Sequence, residues 1–94
     1  MSKRMVVNYP LFPEWTTAEV ITVTNFYALV EQYYERGVNR EDFLVAYAAF
    51  RRVEPTIMAQ KQLDRAFQQE TGYSIYRAVK DAQQQTAKRI RYRG

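Results

Sequence analysis

Side chains able to do chemistry are few in this 94-residue chain, and the missing types restrict it more than those present. There is no cysteine and no histidine. Ser–His and Cys–His nucleophilic pairs are therefore excluded, as are the usual ligand sets for zinc, haem and iron–sulfur clusters. Carboxylates remain. Glu31 and Glu35 stand four residues apart, so on a helix they share one face, as an oxygen-ligand metal site requires. The di-iron bundle pattern needs Glu-x-x-His, which cannot occur here, and a solvated helix edge explains the same spacing. Glu14, Glu19, Glu41 and Asp42 all fall at or near expected helix starts, where the helix dipole accounts for them. The three glycines stand alone, so no phosphate-cradling loop is present. No cofactor or metal is expected.

Aromatic and basic residues make the other constellation. Eight tyrosines invite base stacking beside cations. Tyr27, Tyr33, Tyr34 and Tyr47 lie on apolar stripes, where a tyrosine buries its ring and keeps its hydroxyl wet. Tyr9, Tyr73, Tyr76 and Tyr92 have no such ready explanation. The stretch Gly72-Tyr73-Ser74-Ile75-Tyr76-Arg77-Ala78-Val79-Lys80 has the outline of a helix-turn-helix reader. Its detail fits poorly: Gln68 stands where a small residue is wanted, and Asp81 where an apolar one is. A capped helical hairpin accounts for the same residues. The end, Lys88-Arg89-Ile90-Arg91-Tyr92-Arg93, alternates cations with apolar or aromatic residues. Charge could draw it to RNA, an anionic membrane or an acidic protein, and a disordered solubilising tail is the plainer reading.

Those residues depend on helices whose limits are well signed. Prolines bias Tyr9 and Phe12 away from helix, which predicts an extended arm over residues 1–15. Thr16 with Glu19 forms a capping box, and Trp15 is placed to staple against Val20. The apolar stripe Val20, Val23, Phe26, Tyr27, Leu29, Val30, Tyr33 and Tyr34 then predicts a helix over 16–36. Gly37 suits a left-handed stop, with Val38 folding back toward Tyr33. Asn39 caps a second helix over 40–53 that buries Phe43, Leu44, Tyr47, Phe50 and Ala48, and Pro55 prevents its continuation. Thr56 caps a third over 57–71 with a narrow stripe of Ala59, Leu63, Ala66 and Phe67. Gly72 stops it, and Ser74 caps a fourth over 75–88 that outruns the core and frays into a basic tail, 89–94.

Length and charge set the frame. Ninety-four residues make one domain, 1–94, with a thin core. The net charge of +4 is uneven: residues 1–87 hold ten basic and ten acidic side chains, so Lys88, Arg89, Arg91 and Arg93 supply the whole excess. The longest apolar run, Leu44 to Phe50, is too short for a membrane span. Met5-Val6-Val7 after Lys3-Arg4 is too short for a signal-peptide core. With no cysteine, the expectation is a cytoplasmic protein.

Taken in order, Tyr9-Pro10-Leu11, Trp15-Thr16 with Glu19, Tyr34-Glu35-Arg36-Gly37-Val38, Lys61-Gln62-Leu63 and the stretch Gly72 to Lys80 resemble the YktA-like uncharacterised protein family (family 0223) of Gram-positive bacteria. The likeness spans roughly Tyr9 to Ala82. It implies a small cytoplasmic helical protein and carries over no activity, substrate or cofactor. Ala18 and Ile75 depart from the family pattern, which has an acidic residue and a serine there, and the basic tail is not part of it.

The expected fold is an all-α, small antiparallel four-helix bundle with an extended N-terminal arm. The expected function is a non-enzymatic protein-interaction module with an unknown protein partner. Its candidate surface is Tyr73, Tyr76, Arg77 and Lys80. The alternative is weak RNA or DNA binding through that junction and the charged tail, Lys88, Arg89, Arg91 and Arg93. A homodimer is a further expectation, because the narrow third stripe leaves apolar surface to cover.

Overall fold

The computed structural model describes residues 8–93. The Lys3–Val7 segment weighed as a leader, the first seven residues of the arm and Gly94 of the tail lie outside the described residues. Among the described residues four helices follow one another: α1 (Thr17–Glu35), α2 (Arg40–Val53), α3 (Ile57–Thr71) and α4 (Ile75–Gln84). Two short strands, β1 (Val38–Asn39) and β2 (Arg89–Ile90), close a small antiparallel ladder. The fold is the expected all-α bundle with that ladder added.

Local chemistry sets most helix starts. The Thr16 hydroxyl accepts from the Glu19 amide at 3.1 Å while the Glu19 carboxylate accepts from the Thr16 amide at 2.9 Å. This reciprocal box satisfies two of the donors that a helix start leaves open. Asn39 accepts from the Asp42 amide at 2.8 Å to start α2. Acidic Glu41 and Asp42 in its first turn and basic Arg51 and Arg52 in its last suit the dipole. Thr56 departs from expectation: it precedes α3 but makes no side-chain cap, and its hydroxyl donates to Glu54.

The core is mainly aromatic. Val23, Phe26, Tyr27, Val30 and Tyr33 line the buried face of α1 at helical spacing. Phe26 stacks on Phe50 at 4.9 Å and meets Phe43 edge-on at 5.6 Å, which ties α1 to α2. Phe67 from α3 packs on Tyr27 at 4.9 Å. On α2, Ala46 is buried and Ala48 is exposed, reversing the expectation: Ala46 sits three residues after Phe43 and four before Phe50, on their face. The arm lies across this core, with the Tyr9 ring 5.2 Å from Tyr27 and the Tyr27 hydroxyl donating to the Pro10 carbonyl at 2.9 Å.

The chain's end differs most from expectation. α4 stops at Gln84 rather than 88, and Gln85 turns to extended backbone with ψ 156°. Val38 pairs with Ile90 and Asn39 with Arg89, and Val38 and Ile90 are each only 3% exposed. The Arg40 amide donates to the Lys88 carbonyl at 2.7 Å, and the Tyr92 amide to the Tyr33 carbonyl at 3.1 Å. The segment expected to fray is therefore fastened, because its backbone finds partners and Ile90 finds a core site. Gly37 makes the approach possible. Its φ is +97°, and a Cβ there would sit 3.2 Å from the Ile90 carbonyl oxygen and from Arg89 Nε.

Candidate functional site

α4 is started twice over. The Ser74 hydroxyl accepts from the Arg77 amide at 3.1 Å, as its sequence position foretold. The Asp64 carboxylate, reaching across from α3, accepts from the Ile75 and Tyr76 amides at 2.8 and 3.2 Å. A carboxylate at a helix start is favoured by the dipole as well as by the bonds. This clamp fixes the angle at which α4 leaves α3. The buried side of α4 is Ile75, Ala78, Val79 and Ala82, so Tyr76, Arg77 and Lys80 face outward.

Those three residues line an open groove of about 780 Å³, with Asp81, Tyr92 and Arg93 among its other walls. Tyr76 is 64% exposed, and the Lys80 ammonium lies 5.7 Å from its ring centroid, a cation–π contact. Arg93 arrives from the other end of the sequence because β2 turns the tail back along α1. The structure thus brings one residue of the tail beside three of the junction. Lys88, Arg89 and Arg91 are exposed and do not line the groove. Arg89 has a structural task instead: its guanidinium donates to the Arg36 and Gly37 carbonyls, each at 3.2 Å. These lie at the end of α1, where carbonyls lack helical partners and a cation is favoured.

Tyr73, grouped with this surface from sequence, belongs elsewhere. Its ring stacks on Tyr34 at 4.6 Å with an interplanar angle of 6°, and its hydroxyl donates to Glu35 at 3.0 Å. It does not line the groove. Tyr34, in turn, donates to the Ser74 carbonyl at 2.6 Å and holds Tyr92 at 4.8 Å. The Tyr33 hydroxyl donates to Asp81, whose other oxygen accepts from Gln85 at 3.0 Å. Burial pushes the Tyr34 phenol up to about 12, against a downward pull from the Arg77 charge. Burial and the Asp81 bond push Tyr33 higher still. The groove floor is therefore a locked tyrosine layer that stays protonated at neutral pH.

Beyond Tyr76 lies a second groove, of about 570 Å³, between α2, α3 and α4. Its walls include Tyr47, Ile57, Ile75 and Val79, and it shares Ser74 and Tyr76 with the first. Ile57 is 62% exposed and its neighbour Met58 75%, the apolar surface that the narrow stripe of α3 foretold. One open ring thus divides a cationic groove from an apolar one.

Each of the paired glutamates serves a tyrosine. Glu31 accepts from the Tyr9 hydroxyl at 2.6 Å and Glu35 from Tyr73. Among the described residues, no group of three carboxylates is placed to hold an ion. Nor is any helix, among those residues, long and apolar enough to cross a membrane. Asp64, Asp81 and Tyr34 were not singled out for this site from sequence. Asp64 caps a helix that starts eleven residues later, and no local spacing rule carries that pairing.

Comparison with known proteins gives a consistent result. Residues 6–91 match the model of the Uncharacterised protein family (UPF0223). The match extends past Ala82 through β2 to Arg91, so it takes in the tail as far as Arg91, beyond the sequence expectation, and stops short of Tyr92 and Arg93. A UPF0223 protein of Lactococcus lactis subsp. cremoris (strain MG1363) is 49% identical over 76 residues, covering 81% of this chain and 82% of that protein. One from Bacillus mycoides (strain KBAB4) is 40% identical over 86 residues, covering 92% and 97%. One from Streptococcus thermophilus (strain CNRZ 1066) is 48% identical over 75 residues, covering 80% and 81%. The chain belongs to the UPF0223 family.

Proposed function

We propose that this chain is a non-enzymatic protein-interaction module of the cytoplasm, and that the groove beside Tyr76 is its binding surface. The observation that carries the reading is the open convergence of Tyr76, Arg77 and Lys80 with Arg93, which arrives from a separate segment. An exposed tyrosine flanked by cations has the make-up of an interface anchor. Nucleic-acid binding fits less well. Arg89 and the rings of Tyr73 and Tyr92 have partners within the fold, which leaves Tyr76 as the groove's one largely exposed ring among the described residues.

The test is site-specific photo-crosslinking in the living bacterium. A benzophenone amino acid at position 76 should give a discrete protein adduct. The same probe at exposed Ile21, which does not line the groove, should not. Adducts at neither position, or the same set at both, would remove the proposal.

A further inference from the structure

We infer that the partner segment is acidic and amphipathic: two or more carboxylates that meet Arg77, Lys80 and Arg93, next to a large apolar side chain seated beyond Tyr76. This rests on the interaction-module reading and adds the chemistry of the partner.

The cationic half follows from what these charges lack. No carboxylate partners Arg77, Lys80 or Arg93 among the described residues. Asp81, the acid in the groove wall, already accepts from Tyr33 and Gln85. Arg77 and Tyr34 line the same groove, and the Arg77 charge pulls the Tyr34 phenol downward. Three cations against the one carboxylate of Asp81 leave the groove's lining net positive above a floor of tyrosines. A short acidic segment complements that charge.

The apolar half follows from Tyr76. Its ring forms part of both grooves, so a segment crossing it meets cations on one side and the walls made by Ile57, Ile75 and Val79 on the other. A polyanion would use only the first. Single-stranded nucleic acid binds by successive ring stacking along a basic track, and Tyr34, Tyr73 and Tyr92 are packed on one another. Combined charge and apolar complementarity therefore favours a protein segment.

Selection of a random peptide library on the full chain tests this. Enriched sequences should carry paired Asp or Glu with Leu, Ile, Phe or Met close by. A synthetic peptide from that pool should lose roughly tenfold or more in affinity on charge reversal in R77E/K80E, with steep salt dependence. Tyr76→Ala should cost roughly tenfold, and Ile57→Glu should erase the apolar preference while keeping the acidic one. All these residues are exposed, and circular dichroism checks that each variant folds. Selection without acidic enrichment, or peptide binding indifferent to R77E/K80E, overturns the inference. So does tighter groove-dependent binding of an oligouridylate. If position 76 still crosslinks in the bacterium while any of these adverse results holds, the acidic chemistry is wrong and the surface stands. Loss of both removes the underlying reading too.

Discussion

The outer face of α4 and the chain's last residues look alike in composition, each mixing cations with tyrosine, yet the fold treats them in opposite ways. In the tail, Ile90 is buried, Tyr92 packs on Tyr34, and Arg89 fastens to carbonyls at the end of α1. On α4, Tyr76, Arg77 and Lys80 remain turned to water. The difference is one of available partners. The tail passes a helix end with free carbonyls and a strand edge, so its donors are used. The outer face of α4 meets no such acceptors, because Ser74 and Asp64 already satisfy the helix start. Basic-aromatic composition therefore says little by itself about binding; free acceptors nearby decide which cations serve the fold.

The largest expected effect contrasts the two regions directly. Ile90→Ala should destabilise by about 2 kcal/mol in urea denaturation, the low end for a buried isoleucine because the tail can undock locally. Tyr76→Ala should stay within about 0.5 kcal/mol. Equal losses would break the distinction between a structural tail and a free α4 surface.

The two helix-stop glycines sharpen it. Both have positive φ, +97° at Gly37 and +82° at Gly72, but only Gly37 faces another strand closely. Gly72→Ala should cost about 1 kcal/mol for conformation alone. Gly37→Ala should cost about 1 kcal/mol more, since its methyl meets β2, and it should loosen the tail as read by amide exchange near Ile90. Equal costs would mean that β2 yields freely.

Alkaline pH probes the groove floor. The folded Tyr34 phenol is raised from its ordinary 10 to about 12. Above pH 10 the unfolded chain loses that proton while the folded one keeps it, so the stabilisation is complete below pH 10 and is lost between 10 and about 12. Tyr34→Phe should flatten the fall in stability across that interval. If Tyr34→Phe has no effect on the slope, the groove floor is not the locked layer described.

Much of the architecture was legible because it depends on neighbours in sequence. The capping box at Thr16 and Glu19, the caps at Asn39 and Ser74, the glycine stops and the α1 stripe all act within about one helical turn, so residue type and spacing determine them. The exposure of Tyr76, Arg77 and Lys80 followed from the same periodicity. What needed the tertiary structure depends on groups far apart in the chain. Ile90 can pair with Val38 only after the three helices between them have returned the tail to α1. Asp64 can cap α4 only once the α3–α4 turn has formed, and Tyr73 stays out of the groove because its ring stacks on Tyr34. The sequence alone thus set the helices and their outward residues. The return of the chain on itself decided that most of the tail holds the fold together and that Arg93 joins the groove.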